Sequence, residues 1–411
     1  MRYPQTAISE VANFINGFPF KPTDWGSTGY KIIRIQNLSD HSKPFNRTQK
    51  EVPARYLVKR GDILVSWSAT IDVFEWDDED SYLNQHIFKV EYNPQKIDKQ
   101  YFKLSLKNTV RELGKFAHGS TMKHVVKGDF DNHQIPLPPL DDQIRIATLL
   151  SKAENLISHR REQLKQLDEL LKSVFLEMFG DPVRNEKGWH TVPFSKILKD
   201  IESGWSPVCE ARAASSSEWG VLKLGAITSC VFKEDYNKAL LPDVQPKTKN
   251  EVHVGDLLFS RKNTYDLVAA CVYVFNTRAK LMISDLIFRF IFNGDSAVNP
   301  LYIWKLLIND SQRKKIQSLA GGAAGSMPNI SKANLKTILI PLPPIELQNR
   351  FSAIVTKVES VRTLYTKSLN ILESLYGTFS QKAFKGELDL SRVTLVKYGD
   401  PARGMASAIC N

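Results

Sequence analysis

The sequence predicts an α+β protein in which two similar mixed α/β domains are separated by two long helices packed as an antiparallel coiled coil. Three observations support this. Short motifs recur in the same order with a period of about 200 residues, each copy contains several strand-like runs, and a long heptad-patterned segment follows each copy. A sequence that contains two similar copies in this way has a pseudo-twofold internal repeat.

The repeat is defined by matched motifs that keep their order along the chain. A proline-rich block closes each copy, and a glutamine, Gln143 or Gln348, follows it. A single match could arise by chance, but an ordered series is typical of a duplicated domain. The pairs are Ile33–Ile35 with Leu222–Leu224, Gly61–Leu64 with Gly255–Leu258, Ile87–Val90 with Ile287–Phe290, Gly119–Ser120 with Gly325–Ser326, and Ile135–Leu140 with Ile340–Ile345.

The first part of each copy is rich in strand signals. Runs of β-branched and aromatic residues bounded by Gly, Asp, Asn or Pro favour strands. The predicted strands are Lys31–Leu38, Asp62–Trp67, Gln85–Tyr92 and Val268–Phe275. Helices are predicted at the same relative place in the two copies, over Tyr101–Leu113 and Pro300–Leu319.

Each copy ends in a long segment whose apolar residues recur at alternating spacings of three and four. This is the coiled-coil pattern, and segments of about 35–40 residues would form helices about 55 Å long. Two such helices in one chain can bury their stripes against each other. The stripe positions are Leu150, Ala153, Ile157, Leu164, Leu167, Leu171, Val174 and Met178 in the first helix, and Phe351, Ile354, Val358, Val361, Tyr365, Leu372, Leu375 and Phe379 in the second.

Composition indicates a basic globular protein of more than one domain. The chain has 411 residues and a formal net charge of +11, which favours a polyanionic partner because basic side chains near phosphates release counterions. The cysteines are scattered and form no CxxC pair, so we expect no metal site and a reducing, cytoplasmic environment. We also expect no signal peptide and no membrane span. The four cysteines are Cys209, Cys230, Cys271 and Cys410.

Motifs of catalysis are absent from the sequence. It contains no GxGxxG, no GxxxxGK[ST], no HExxH, no GxSxG, and no Asn-Pro-Pro-Tyr or Asp-Pro-Pro-Tyr tetrapeptide. The histidines at 118, 124 and 133 do not have metal-ligand spacing, and the acidic run Asp77–Asp80 is more typical of a solvated loop. These observations favour a protein without catalytic residues or cofactors of its own.

Taken together, these motifs resemble the specificity (S) subunit family of Type I restriction–modification systems. The resemblance covers Ile8 to Leu388, and Asp72 departs from it, since the family often has Gly in the turn after the Gly-Asp strand. It rests on Gly61–Ser68 and Gly255–Arg261, on the proline blocks followed by Gln143 and Gln348, and on Ala383–Leu388.

The resemblance implies two target-recognition domains that each recognise one half of a bipartite double-stranded DNA site, and conserved helices that set the spacer. It also implies that two methylation subunits dock on the helices and that two restriction (motor-nuclease) subunits join them. S-adenosylmethionine, ATP and Mg would then be bound by those partners. The implied division is 1–140 for target-recognition domain 1, 141–180 for the central helix, 181–345 for target-recognition domain 2, 346–388 for the C-terminal helix, and 389–411 for a tail.

Two segments in each copy are candidates for DNA contact, because they are polar and differ between the copies while the surrounding motifs match. Arg and Lys can bond guanine, Asn can bond adenine, and short polar side chains near Gly can approach phosphates. Arg34 and Lys223, on matching strands, could contact phosphate or form ion pairs. The other candidates are Ser66, Trp67, Ser68, Thr70, Ser120, Thr121, Lys123 and His124 in the first copy, and Arg261, Lys262, Asn263, Thr264, Ser326 and Asn329 in the second.

Ordinary polar surface turns are the alternative for each of these residues taken singly. For the whole chain, two other functions remain open: a stand-alone DNA methyltransferase or nuclease with duplicated recognition domains, and a scaffold that binds only protein. The first alternative requires a cofactor-binding segment that the sequence does not show.

Overall fold

The computed structural model describes residues 3–40, 42–68, 71–116, 127–294, 297–321 and 327–394. The chain divides into two compact units. One comprises Met1–Arg160 with Ser368–Asn411, and the other comprises Arg161–Lys367. Each of the two long helices therefore contributes one part to each unit.

The first unit contains the first copy of the repeat, here called domain one (β1–β10 with α1–α3). Its strands are β1 (Gln5–Ala7), β2 (Ala12–Asn16), β3 (Tyr30–Ile33), β4 (Asn46–Thr48), β5 (Leu57–Val58), β6 (Ile63–Ser66), β7 (Asp72–Glu75), β8 (Ser81–Leu83), β9 (Ile87–Tyr92) and β10 (Gln134–Pro136). Its helices are α1 (Ile35–Ser39), α2 (Lys99–Phe116) and α3 (Lys127–Asn132), and the first long helix, α4 (Leu140–Phe179), follows.

The second unit contains the second copy, domain two (β11–β19 with α5–α7). Its strands are β11 (Thr191–Pro193), β12 (Leu198–Ser203), β13 (Gly220–Leu222), β14 (Asn237–Ala239), β15 (Leu257–Ser260), β16 (Cys271–Tyr273), β17 (Leu281–Met282), β18 (Ile287–Phe292) and β19 (Leu339–Pro341). Its helices are α5 (Pro300–Ile308), α6 (Asp310–Gln317) and α7 (Lys332–Lys336), and the second long helix, α8 (Ile345–Lys385), follows.

The two domains share one strand topology. Domain one has an antiparallel sheet β2-β9-β6-β7, a mixed sheet β4-β3-β8-β5 with β3 parallel to β8, and the ribbon β1-β10. Domain two repeats these as β12-β18-β15-β16, β14-β13-β17 with β13 parallel to β17, and β11-β19. Where β5 pairs with β8, domain two has only an isolated bridge between Glu251 and Met282. The internal repeat predicted from the motifs is thus a repeat of the fold.

The matched Gly-Asp motifs form the same turn at the start of β6 and β15. Gly61 and Gly255 have φ of 92° and 96°, a conformation that side chains with a Cβ rarely adopt. The carboxylates of Asp62 and Asp256 accept hydrogen bonds from the backbone N–H three residues earlier, at 2.9 Å in each case. Both residues of the motif are therefore required by backbone geometry.

The matched glutamines join each proline block to the body of its domain. The Gln143 side chain accepts from the N–H of Asp98 at 2.8 Å and donates to the carbonyl of Pro138 at 2.8 Å. Gln348 makes the same bonds to Asn299 at 2.9 Å and Pro343 at 2.8 Å. Both side chains are buried, so the long helices begin at a fixed point on each domain.

Several predicted elements are shorter or divided in the structure; the strand expected over Val268–Phe275, for example, is limited to Cys271–Tyr273. The strand expected over Lys31–Leu38 ends at Ile33, because the Asn37 side chain accepts from the N–H of Arg34 and starts a short helix. The helix expected over Pro300–Leu319 is two helices. Asn309 breaks it because its side chain accepts from the N–H of Ser311 and caps α6.

The apolar stripe predicted for α4 is its less exposed face: each of its eight positions is buried or half-buried. The stripe predicted for α8 is wrong at two positions. Ile354 and Leu375 are 37% and 44% exposed, whereas the next residues, Val355 and Tyr376, face inward. At each of these two points apolar residues stand at adjacent positions, and packing against the domain core buries the second of them wholly or partly.

The two long helices contact each other within each unit. In the first unit, the Tyr376 hydroxyl donates to the Glu154 carboxylate at 2.9 Å. In the second unit, the Arg362 guanidinium donates to Asp168 at 2.6 Å, and the rings of Phe175 and Phe351 pack with centroids 5.6 Å apart. Each domain core includes residues of both helices.

Candidate nucleic-acid interface

In domain two, the candidate residue Arg261 directly follows β15. Its backbone N–H donates to the carbonyl of Leu286, and its guanidinium carbon lies 5.2 Å from the centroid of the Phe288 ring. Lys332, at the start of α7, places its ammonium nitrogen 5.7 Å from the same centroid. Two cations therefore flank one aromatic ring at this end of the sheet.

The structure brings the two predicted segments of domain two together. The Arg261 Nε donates to the Asn329 side-chain oxygen at 3.1 Å, and Lys262 forms an antiparallel bridge with Asn329. Thr264 is exposed next to them. The exposed Asp285 and Ser206, bonded to each other, also lie here, since the Asp285 carbonyl accepts from Arg261 at 3.4 Å. This polar surface offers donors and acceptors side by side.

In domain one, the residue matched to Arg261 is Trp67. Its N–H donates to the carbonyl of His86 at 3.4 Å, as that of Arg261 does to Leu286 at 3.1 Å. Its ring stacks on Phe88 with centroids 5.9 Å apart and lies 5.1 Å from the His86 ring. The same backbone position thus carries an indole in one domain and a guanidinium in the other.

Three predicted contact residues are buried in the structure. Ser66 is 0% exposed, because it ends a central strand and bonds the backbone of Asp72 across the sheet. Ser68 is 8% exposed. Asn263 is 7% exposed and its side chain accepts from the N–H of Thr264, so it shapes a turn.

Arg34 and Lys223 occupy the same place, one residue beyond β3 and β13 and just before a short helical turn. The Arg34 guanidinium lies 5.1 Å from the Trp25 ring centroid, and the Lys223 nitrogen 5.8 Å from that of Tyr236. In the described part of the chain, no carboxylate is within ion-pair distance of either. This argues against the ion-pair alternative and leaves both cations available to DNA.

The remaining candidates lie outside the described residues. His118 and the part of the predicted tail from residue 395 onward also lie outside them. These candidates are Thr70, Ser120, Thr121, Lys123, His124 and Ser326.

Sequence reasoning missed the turn before β9. Asn84 and His86 lie beside Arg34, and the matching turn of domain two holds Ser284 and Leu286. These turns directly precede the matched residues Ile87 and Ile287. The repeat alignment could therefore have identified them, because residues that differ between the copies stand next to residues that match.

Three buried groups inside the domains have displaced pKa values. Burial lowers the pKa of Lys305 to about 8, although Glu359 lies 3.8 Å away. Burial raises the pKa of Tyr101 and Tyr302, whose hydroxyls donate to the matched prolines Pro136 and Pro341. These are groups of the domain frame, where burial and not ligand binding accounts for the shift.

No group of three or more His, Cys, Asp or Glu side chains among the residues that the structure describes is arranged to hold a metal ion. No helix in that part of the chain is long and apolar enough to cross a bilayer.

Comparison with known proteins identifies relatives of this chain. The Type I restriction enzyme EcoEI specificity subunit of Escherichia coli is 35% identical over 162 residues, which are 39% of this chain and 27% of that protein. The MjaVIII specificity subunit of Methanocaldococcus jannaschii is 25% identical over 368 residues, which are 84% of this chain and 82% of that one. The chain thus spans little more than a quarter of the first relative and most of the second.

Solved structures and a family model agree with these relatives. The crystal structure of a Type-I restriction-modification system S subunit from M. genitalium superposes with a TM-score of 0.59 at 14% identity, over 93% of this chain and 96% of that chain, so the fold is shared. The model of the Type I restriction modification DNA specificity domain matches residues 5–168 and 230–374, most of the chain. This confirms the resemblance inferred from the repeated motifs: the chain belongs to the Type I restriction–modification specificity subunit family.

Proposed function

We propose that this chain is the DNA-specificity subunit of a Type I restriction–modification complex, and that each domain recognises one half of a bipartite site. One observation carries the proposal. Trp67 and Arg261 share a backbone position and stack on matched phenylalanines, yet they present different chemistry. Two domains that recognise different half-sites need the same fold, with different side chains at the positions that face DNA.

The two long helices are proposed to pair as an antiparallel coiled coil that sets the spacer between half-sites. This is supported by the contact of the C-terminal part of α8 with the first half of α4 in one unit, and of its N-terminal part with the second half of α4 in the other. With 40 and 41 residues, each helix is about 60 Å long.

The outer faces of these helices are proposed to bind two methylation subunits. Four leucines and one isoleucine there are 45–66% exposed and could supply the apolar contacts of a protein interface. They are Leu156, Leu170, Leu176, Leu364 and Ile371.

Catalysis is proposed to reside in the partners: the methylation subunits, with S-adenosylmethionine, and two restriction subunits, with ATP and Mg. Supporting this, the sequence lacks the motifs that bind these groups. Methyl transfer to DNA by the purified chain alone, measured with labelled S-adenosylmethionine, would overturn the proposal in favour of a stand-alone enzyme.

The test of DNA recognition is the double variant Arg261→Ala/Lys262→Ala in the complex assembled with methylation subunits. Its affinity for site-containing duplex should fall about tenfold or more, and the slope of log affinity against log salt should become shallower by about 1–2. The measurement is a binding titration at several salt concentrations.

The matched control is Lys196→Ala/Lys199→Ala, which removes the same charge from the same domain. These exposed lysines lie beside the start of β12, which pairs with the end of β18, whereas Arg261 lies beside the start of β18. Equal losses for the two double variants would mean that only net charge matters. No loss for either would favour the scaffold that binds protein alone.

A further inference from the structure

Domain one has a small pocket. It lies where β3 passes into α1 and meets the turn before β9. It is lined by the polar residues Arg34, Gln36, Asn84 and His86 and by the apolar residues Ile35 and Ile87. A few convergent polar groups beside apolar side chains are typical of ligand-binding surfaces.

Two residues that line this pocket each have a buried polar atom without a hydrogen-bond partner in the described structure. The Asn84 side-chain oxygen and the His86 Nδ1 are buried without a hydrogen bond, whereas the other imidazole nitrogen lies 3.3 Å from the Gln85 amide. Leaving buried polar atoms unsatisfied is unfavourable by about 1–3 kcal/mol for each. Such atoms persist where a ligand or water completes them. The amide orientation and the imidazole tautomer can adjust to a donor or an acceptor.

The pocket is continuous with the predicted interface of domain one. The His86 ring contacts the Trp67 ring, with centroids 5.1 Å apart. Arg34 is held beside the pocket by stacking on Trp25, so its guanidinium is positioned before any ligand binds. Gln36 is exposed on the first turn of α1. A DNA contact at Trp67 would therefore bring the double helix onto these four side chains.

The matched positions in domain two carry different chemistry. Lys223 replaces Arg34, Gly225 replaces Gln36, Ser284 replaces Asn84 and Leu286 replaces His86, in a frame with the same backbone hydrogen bonds. A Cβ at Gly225 would lie 2.6 Å from the Tyr236 ring, so a side chain there would require that ring to move. The polar cluster is therefore a property of domain one, not of the fold.

We propose that Gln36, Asn84 and His86, with Arg34, are specificity-determining residues that recognise a purine edge in the major groove of the half-site bound by domain one. This rests on the proposed DNA-recognition function. Arginine pairs with the O6 and N7 of guanine, and side-chain amides pair with the N6 and N7 of adenine. N7 is common to both purines, so the cluster distinguishes a purine from a pyrimidine at its position.

The test uses Gln36→Ala and His86→Leu, the second of which installs the residue of domain two. Complexes assembled with methylation subunits select from duplexes in which both half-sites are randomised, and the bound fraction is sequenced. We expect wild type to select two half-sites. Each variant should lose about tenfold or more of its purine preference at one or two positions of one half-site, with the other half-site unchanged.

The control is Arg60→Ala, an exposed residue near the start of β6, at the opposite end of the strand from Trp67. It should select the wild-type site. The inference is overturned if Gln36→Ala and His86→Leu also select the wild-type site, or if they lose affinity equally for all sequences with a shallower salt slope, which would indicate a phosphate contact. A wild-type complex that selects no bipartite site would overturn the proposed function and this inference with it.

Discussion

Domains one and two have the same framework and different surfaces. Comparing them distinguishes residues that stabilise the shared fold from residues that differ between the two copies. The Gly-Asp turns, the buried glutamines and the tyrosine-to-proline bonds are the same in both. The three residues directly after β6, Trp67 to Ala69, differ from the three directly after β15, Arg261 to Asn263. Residues whose side chains bond the backbone are the same in both copies, whereas the residues directly after β6 and β15 are not.

A second contrast lies inside the framework. The cation that neutralises the Gly-Asp carboxylate is Lys89 in domain one, 3.3 Å from Asp62, and Arg289 in domain two, 3.1 Å from Asp256. Arg289 also bonds Glu202 and two backbone carbonyls. The same position therefore makes a much larger network in domain two.

The largest expected effect is a difference between Arg289→Ala and Lys89→Ala. Removing Arg289 should lower the free energy of unfolding of the second unit by about 3–5 kcal/mol, because it leaves two carboxylates and two carbonyls without their partner. Removing Lys89 should lower that of the first unit by about 1–2 kcal/mol. Denaturant titration monitored by fluorescence measures both.

Arg289→Lys serves as the control, because it keeps the charge and loses the fork of donors; its effect should lie between those two. Equal losses for Arg289→Ala and Lys89→Ala would contradict the contrast.

The next effect should be the same in both domains. Gln143→Ala and Gln348→Ala each leave a backbone N–H and two carbonyls unsatisfied, so each should lower the free energy of unfolding of its own unit by about 2–3 kcal/mol. The control is Arg350→Ala, an exposed residue on the same helix. Losses that differ by more than a factor of two would argue that the matched bonds do not have matched roles.

The smallest effect concerns Lys305, whose counterpart in domain one is the buried Leu104. Burial lowers the pKa of Lys305 from 10.5 to about 8. Between these values the unfolded chain binds the proton that the folded chain has released, so the stability of the second unit rises with pH over that window. Below about pH 8 both states are charged, and the unit is less stable.

Lys305→Leu should remove this rise, which is on the order of 2 kcal/mol, and stabilise the unit at pH 7. Denaturant titrations of both proteins from pH 7 to 10.5 measure the difference between their free energies of unfolding. The contributions of other titrating groups cancel in this difference. Lys314→Leu, on an exposed face of α6, should keep the wild-type pH dependence. Parallel pH profiles for wild type and Lys305→Leu would show that Lys305 stays charged in the folded state.

Much of the framework could be predicted because its signals are local or repeated. The duplicated motifs predicted a duplicated fold, and the stripe of α4 follows from spacing alone. The α8 stripe was displaced at Ile354 and Leu375, because apolar residues stand at adjacent positions there and spacing cannot choose between them. Packing against the domain core makes that choice.

The candidate surface was harder to predict, because a polar residue type does not by itself show whether the side chain is exposed or buried. Ser66, Ser68 and Asn263 are polar residues in a polar stretch, yet they satisfy backbone groups inside the domain. Asn84 and His86 were missed because they are distant in sequence from the segments that they adjoin.

The sequence by itself determined the repeat, the Gly-Asp turns, the helix starts at the proline blocks and the membership of the family, since each depends on residues that are close together or copied in order. Only the tertiary structure decided which polar residues reach the surface and which distant ones meet there. Burial and hydrogen-bond partners depend on strands that pair across many residues, as β6 does with β9 and β15 with β18.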